Sequence, residues 1–360
     1  MRASDSDPRP AGAVDLSVVI PSFHSVDWIE STLAALEVSI VRSPFRAHVV
    51  VVDDGSKDGT AELVESVAER FAVPLEVVVQ ENRGRFLARW TGAERARGTQ
   101  LLLLDSRVLL DAGALAHVAH VRDEDPGLAV WNAHVVTDPA APLVGRFWEV
   151  PTSLFWGDYL RDPRPMSITP GTFDRVPTGT TAFLLPTRLF VEACRAEWPD
   201  EDAALVSDDI RLLRWIVART PIRLDPGFAA TYRPRVRVGA FLRHSRDRGT
   251  LFVDSYAGTS ALRNAILVIL AALPPIVLVA VIALVAIGRL DLAIVLVAAA
   301  VACILAPAAV AGLRRVSARA IASYLVFVVP FGIVFWTGIL RGVVLHRKAF
   351  GRSAPADRAA

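Results

Sequence analysis

Three apolar stretches near the C-terminus, at about 264–287, 291–313 and 320–340, constrain this 360-residue chain more than any other feature. Each holds twenty or more residues, enough at about 1.5 Å of rise per residue to cross about 30 Å of hydrocarbon. Core helices of soluble domains rarely run that long without a charge, so these stretches are expected to be membrane spans. Pro274, Pro275, Pro307 and Pro330 lie inside them and should kink their helices, which neighbouring spans tolerate. The rest of the chain is different. With 53% apolar and 21% charged residues overall, the chain is too hydrophobic for an ordinary soluble protein and too charged for a purely intramembrane one, so a polar domain must precede the spans. Disordered, collagen-like and disulfide-scaffold classes are excluded. The two cysteines, Cys194 and Cys303, form neither a disulfide framework nor a metal knuckle and read as packing residues.

The formal charge of +2 conceals an asymmetry. From Arg314 onward eight basic residues face a single acid, Asp357. A basic tail beside apolar segments reads as a contact with anionic lipid headgroups, not with nucleic acid. Just before the first span, RPRVRVGAFLRHSRDR at 233–248 lacks a long apolar stripe and reads as a cationic collar. The first residues, MRASDSDPRPAG, offer no apolar core for a secretory signal, so the polar domain is expected to stay in the cytoplasm. With the collar inside, the Arg314–Arg319 loop is also inside, as the positive-inside rule requires. The tail with Arg341, Arg347, Lys348 and Arg352 then falls outside, against the rule. Either the upstream determinants prevail or one of the three segments is re-entrant.

From Leu16 the polar part alternates short apolar runs with helical stretches: LSVVIP (16–21), a helix at 27–38, HVVVVDDG (48–55), a helix at 60–70, LEVVVQ (75–80), a helix at 85–97 and LLLLD (101–105). Continuous apolar strands separated by helices predict an α/β fold with a mostly parallel, Rossmann-like sheet covered on both faces. Ligands of such sheets sit beyond the carboxyl ends of the strands. The residues there are Pro21, Asp53 with Asp54, Glu81 with Asn82, and Asp105. The pair in VVDDGSKDGT can accept hydrogen bonds from a ribose diol or a base imide, while Gly55 relieves the turn; equally, it is compatible with a solvated turn and an Asp58 cap. Further on, Ala182–Leu185 reads as a buried strand and 208–219 as a helix. His117 and His120 are spaced as a surface pair on a helix, and the seven histidines show no metal-ligand cluster.

Taken together, VVIPSFH (18–24), VVDDGSKDGT (51–60), ENRGRFLARWTG (81–92) and LLLLDSR (101–107) resemble, in order and spacing, the family 2 inverting glycosyltransferases of GT-A fold. The resemblance covers roughly residues 15–250. It implies that Asp53 and Asp54 serve the nucleotide, that Glu81 to Arg89 form the wall beneath it, and that Asp105 opens the DxD motif whose carboxylates hold Mg²⁺ or Mn²⁺ at the donor diphosphate. Departures stand at His24, at Trp90 and at Arg107, which occupies the place of the second DxD carboxylate. A guanidinium binds a diphosphate but is no ligand for a hard dication; either Arg107 replaces the metal, or it points to solvent and another group completes a metal site.

PTGTTAFLLPTRLF (177–190), with Thr178 and Gly179, looks like the family's strand near the acceptor, and SDDIRLLRW (207–215) resembles its acidic motif. An inverting transfer needs one carboxylate to take the acceptor hydroxyl's proton. By analogy with the motif's second acid that base is Asp209, with Asp208 structural; the same pair would also serve as a helix N-cap. Arg246 and Arg248 are candidates for a phosphate of the donor or of a lipid carrier. The QxxRW motif of processive polysaccharide synthases is absent, and Arg214–Trp215 reads as a helix contact, which favours single-sugar transfer. The expected organisation is a disordered N-terminus (1–14), a GT-A domain (15–232), a basic juxtamembrane collar (233–261), a transmembrane region of about three spans (262–345) and a basic tail (346–360). The implied activity moves one sugar from a nucleotide-diphosphate sugar to a membrane-held, lipid-linked acceptor in cell-envelope assembly, at the inner or plasma membrane. Its rivals are a polyprenyl-phosphate glycosyltransferase and a catalytically silent membrane scaffold with a degenerate metal site.

Overall fold

The computed structural model describes residues 14–199 and 209–351, and these divide into two units. The first contains the described residues up to 136 with 163–199 and 209–232. Its parallel half consists of β1 (Leu16–Ser22), β2 (Ala47–Asp53), β3 (Leu75–Val79) and β4 (Gln100–Leu104), joined by α1 (Ile29–Val41), α2 (Thr60–Ala68) and α3 (Arg85–Glu94). These runs become strands because they are β-branched or Leu-rich without interruption; β1 and β2 are buried along their whole length, as strands covered on both faces must be.

Beyond β4 the character changes. β5 (Val108–Leu110), β6 (Trp131–Thr137), β7 (Met166–Ile168), β8 (Ala182–Pro186) and β9 (Ile222–Tyr232) complete a sheet ordered β3-β2-β1-β4-β8-β6-β9-β5, with β7 pairing β9. The pairings β4–β8, β6–β8, β5–β9 and β7–β9 are antiparallel. The parallel character expected of the sheet therefore holds for its first four strands, and the whole is mixed. Around it lie α4 (Ala114–Glu124), α6 (Thr187–Ala196) and α7 (Ile210–Val217), α5 being the helix Glu149–Arg161 of the second unit. The main core runs from Leu16, Val18 and Ile20 through Val49, Val51, Leu102 and Leu104 to Trp131, Leu184 and Phe228. His117 departs from its expected place in a surface pair: Nε2 lies 3.1 Å from the buried Asp225 carboxylate, because its helix packs on β9.

The second unit joins 137–162 to 233–351, whereas the sequence suggested one continuous domain over 15–232. The reason is apolar. Phe147 stacks on Tyr324 at 5.5 Å and meets Phe331 at 4.5 Å, and Val144, Phe147 and Val150 share a buried cluster with Phe241, Ala308, Ala311 and Ala320. Arg314 donates from Nη1 to the carbonyls of Ser153 and Leu154 in α5. The remaining helices are α8 (Val238–Tyr256), α9 (Ala261–Ala286), α10 (Leu290–Leu313) and α11 (Ala318–Leu345). The last three are long and apolar enough to cross a membrane, and they run on through Pro274, Pro275, Pro307 and Pro330. α8 approaches α11 so closely that a Cβ on Gly338 would meet the Arg246 carbonyl.

Candidate active site

Register decides which residues meet. Ser22 pairs with Asp53, and Asp53 with Val79, so β1, β2 and β3 end side by side. Val19 pairs with Leu103 across β1 and β4, which brings Asp105 to the same edge as Pro21. This is the crevice at the carboxyl ends of the strands, where such sheets bind ligands.

At the β2 end both carboxylates are buried, and each of their oxygens accepts at least one hydrogen bond. Asp53 accepts from Ser56 at both oxygens, from the backbone N–H at 3.1 Å and from the hydroxyl. The Ser56 hydroxyl in turn accepts the His24 N–H at 2.8 Å, and His24 takes a left-handed φ of 49° there. Asp54 Oδ1 accepts from Gln80 Nε2 at 2.6 Å and from the Arg83 N–H at 2.9 Å, and Oδ2 from the Gly84 N–H at 2.8 Å. Asp54 thus ties down the loop that carries the exposed Glu81. Gly55 stands at φ +81°, and a Cβ on it would lie 2.9 Å from the Asn82 nitrogen, so the turn requires glycine. Asp58 accepts from the Thr60 N–H at 3.2 Å and its hydroxyl at 2.6 Å, while the N-cap of α2 is Gly59, which has no side chain to cap with.

At the β4 end the chemistry is ionic. Asp105 Oδ1 accepts from Arg89 Nη2 at 2.7 Å, and the Arg89 side chain is only 2% exposed. Arg89 is therefore an anchor under the site and the counter-ion of Asp105, not an open wall residue. Facing it from α6 is the buried Cys194, whose thiol burial pushes up to about 12 against the pull of Arg89; that thiol stays protonated and unreactive. The backbone at 105–107 is held from two sides: the Asp105 N–H donates to the Thr181 carbonyl at 2.9 Å, and the Ser106 carbonyl accepts from the Thr32 hydroxyl at 2.8 Å. The Ser106 and Ser25 hydroxyls lie 3.0 Å apart. The Arg107 guanidinium rests over the Trp28 ring, 4.3 Å from its centroid.

These residues do not fit the Mg²⁺ or Mn²⁺ that the DxD resemblance implies. A hard dication needs several oxygen ligands at about 2 Å, whereas Asp105 is already neutralised, Ser106 faces the β1–α1 loop and the third position is a cation. Among the described residues no three His, Cys, Asp or Glu side chains come together as a metal site.

Just before β8 the Gly179 N–H donates to Asn132 Oδ1 at 3.1 Å, which fixes Thr178 and Gly179. Asp209 caps α7, its Oδ1 accepting the Ile210 N–H at 2.7 Å; Asp208 lies outside the described residues. A chain of contacts leads from Asp209 back to the crevice. Arg211 pairs with Glu197 at 3.1 Å, the adjacent Trp198 meets Phe86 at 5.3 Å and Trp90 at 5.1 Å, both edge-on, and α3 continues to Arg89. Arg214 binds Asp174 at 2.6 Å, a helix contact as expected. Arg246 and Arg248 belong to α8 of the second unit, where both are exposed and Arg248 lies over Trp148 at 4.8 Å. The sequence reasoning missed Trp28, Ser56, Gln80 and Trp198. Only Ser56, inside the DDGS turn, carried a local signal.

Residues 17–170 match the family model described as glycosyl transferase family 2, and the chain carries a glycosyltransferase domain of that family. Its fold is GT-A. A mannosyltransferase from Pyrobaculum calidifontis, solved in complex with GDP-Man and Mn²⁺, superposes with a TM-score of 0.55 at 19% identity, covering 91% of this chain and 90% of that one. Among curated proteins, an undecaprenyl-phosphate 4-deoxy-4-formamido-L-arabinose transferase of Pseudomonas savastanoi pv. phaseolicola is 32% identical over 99 residues, 27% of this chain and 29% of that protein. The transferase of the same description in Pseudomonas aeruginosa strain LESB58 is 34% identical over 95 residues, 26% of this chain and 28% of that one. The chain thus spans less than a third of the length of these curated relatives.

Proposed function

We propose that this protein transfers one sugar from a nucleotide-diphosphate sugar to a membrane-held, lipid-linked acceptor, with inversion at the anomeric carbon, during cell-envelope glycolipid or polysaccharide assembly. The observation that carries the reading is the convergence of Pro21, Asp53, Asp54 and Asp105 at one sheet edge, in a chain that continues into three helices fit to cross a membrane. In this reading Asp53 receives the base or ribose, Asp54 holds the loop of Glu81 beneath it, and Thr178 and Gly179 border the acceptor. Asp209 takes the acceptor hydroxyl's proton as that oxygen bonds to C1 and the C1–O bond to the nucleotide diphosphate breaks. Arg246 and Arg248 serve anionic lipid headgroups or a carrier phosphate. The catalytic domain faces the cytoplasm at the inner or plasma membrane, and nucleic acid has no part.

The acceptor divides this reading in two. The relatives named as undecaprenyl-phosphate transferases support a lipid phosphate as acceptor, and a phosphate oxygen needs no deprotonation. Turnover by the Asp209→Asn variant decides: collapse indicates a hydroxyl acceptor, near-normal turnover a polyprenyl phosphate. Release of nucleotide diphosphate by the purified chain, with mass spectrometry of envelope lipids from a deletion strain, tests the activity itself. A catalytically silent scaffold would neither release nor bind a nucleotide diphosphate.

A further inference from the structure

We infer that α9 and α10 cross the membrane as a hairpin, whereas α11, although long and apolar enough to cross, lies in the surface of one leaflet with α8 on its headgroup side. Both ends of α11, and the basic residues Arg347 and Lys348 that follow it, then stay on the side from which the chain enters α9.

Connectivity within the second unit carries this. At its N-terminal end α11 meets the end of α10: the Tyr324 hydroxyl donates to the Ile304 carbonyl at 2.9 Å, and Ala308 and Ala311 are buried in one cluster with Ala320 and Tyr324. At its C-terminal end α11 meets the beginning of α9. There Asn264 Nδ2 donates to the Phe350 carbonyl at 3.3 Å, and Leu267 is buried with Ile339 and Ala349. A hairpin that crosses the membrane and returns has the start of α9 and the end of α10 on the same side. One end of α11 is bound to each, so both of its ends lie on that side.

The faces of the helices agree. α8 runs beside α11 in the same direction, from Phe241, 6.0 Å from Phe327, to Val253, against which a Cβ on Gly342 would press. On the face of α11 turned away from α8, the spacing of Leu325, Val326, Val329, Ile333, Leu340 and Val344 makes one stripe, and all six are exposed. On α8 the exposed residues include Arg243, Arg246, Asp247 and Arg248. An apolar stripe on one side and a net cationic layer on the other suit a helix pair lying in an anionic leaflet, acyl chains against α11 and headgroups against α8. Were α11 to cross, α8 beside it would carry those four charges into hydrocarbon. With α11 in the surface, Arg347 and Lys348 also fall on the side of the basic collar, which removes the conflict with the positive-inside rule.

The test labels the full-length chain in intact and in permeabilised cells with a membrane-impermeant maleimide, on a Cys303→Ser background. Four single substitutions at exposed positions report the sides: Arg243→Cys on α8, Arg289→Cys at the α9–α10 turn, Arg319→Cys at the start of α11 and Lys348→Cys after its end. The expected result is that Arg319→Cys and Lys348→Cys share the labelling of Arg243→Cys, and that Arg289→Cys behaves oppositely. Lys348→Cys labelling with Arg289→Cys, opposite to Arg319→Cys, shows that α11 crosses and overturns the inference. Arg289→Cys labelling with Arg243→Cys overturns the crossing hairpin on which it stands. A second measurement does not depend on sides. Nitroxides at Val326→Cys, Ile333→Cys and Val344→Cys, in vesicles of phosphatidylethanolamine and phosphatidylglycerol, should report one depth to within about 5 Å. A crossing helix, rising about 1.5 Å per residue, would separate the middle position from the other two by about 10 Å or more, and that result too overturns the inference.

Discussion

At the end of β2, Asp53 and Asp54 are satisfied by neutral donors: a serine, a glutamine amide and two backbone N–H groups. At the end of β4, Asp105 is satisfied by a buried guanidinium, with a second guanidinium two residues on. The two ends belong to one crevice and differ in what they leave for a ligand. Neutral donors fix a carboxylate without cancelling its charge, so the β2 end keeps an anionic edge suited to the N–H and O–H groups of a base and ribose. A guanidinium cancels the charge of the carboxylate, so the β4 end presents an internal ion pair where the β2 end presents a fixed anion.

The largest effect is expected at a third carboxylate, Asp209, for which the proposed task, general base, differs from both. A positioned general base is worth about 10² to 10⁴ in rate, so Asp209→Asn should remove most turnover while leaving nucleotide affinity near normal. Asp208→Asn is the comparison. If it proves the more damaging, the roles within the pair are reversed.

The contrast between ionic and neutral satisfaction can be broken directly. Arg89→Met leaves Asp105 without its buried counter-ion and should lower stability by about 2 to 4 kcal/mol, somewhat below the full cost for a buried pair because the Asp105 side chain, 26% exposed, can rehydrate. Ser56→Ala removes one neutral donor from Asp53 and should cost about 1 kcal/mol. Denaturant titrations that return equal losses for the two would erase the distinction between the strand ends.

Next in size is the nucleotide itself. Asp53→Ala should weaken the bound nucleotide diphosphate by about 1.5 to 3 kcal/mol, because a charged acceptor is lost from a partly desolvated edge. Calorimetry on the variant checks this. Unchanged affinity would place Asp53 in the turn alone, with Ser56 as its whole purpose.

These expectations show which parts of the molecule were readable in advance. β1 to β4 were legible because buried strands of a parallel sheet are uninterrupted apolar runs, and their ends named Asp53, Asp54 and Asp105 without further help. β5 and β7 span three residues each, and β9 contains Asp225 and Pro226; nothing local marks such segments as strands, which exist only because a neighbour pairs with them. The grouping of 137–162 with the C-terminal helices was hidden for the same reason, since Phe147 announces its burial but not its partners Tyr324 and Phe331. At the site, the residue types were visible and their engagement was not. Asp54 stood out as a carboxylate at a strand end, but its hold on the loop at 80–84 had no local signal, and Trp28 lay 79 positions from the Arg107 that it supports.

The smallest expected effect sharpens the comparison along a single strand. Asp53, at one end of β2, has every oxygen engaged, whereas His48, near the other end, is buried with neither ring nitrogen hydrogen-bonded and Glu76 no closer than 3.6 Å. Burial, aided by Arg97, holds the imidazole below its ordinary value of 6.5, outweighing the opposing pull of Glu76. The folded state therefore keeps His48 neutral in a range where the unfolded chain takes up a proton. Because the unfolded state then binds more protons, stability rises with pH: the contribution is intact above about pH 6.5 and is lost as pH falls below it towards the folded value. The slope from this one group cannot exceed about 1.4 kcal/mol per pH unit. Unfolding midpoints of the wild type and of His48→Phe, compared between pH 7.5 and 5.5, isolate it: the wild type should lose more stability on acidification than the variant. Parallel pH dependences would mean that water reaches the His48 ring, and that both ends of β2 satisfy their polar groups equally well.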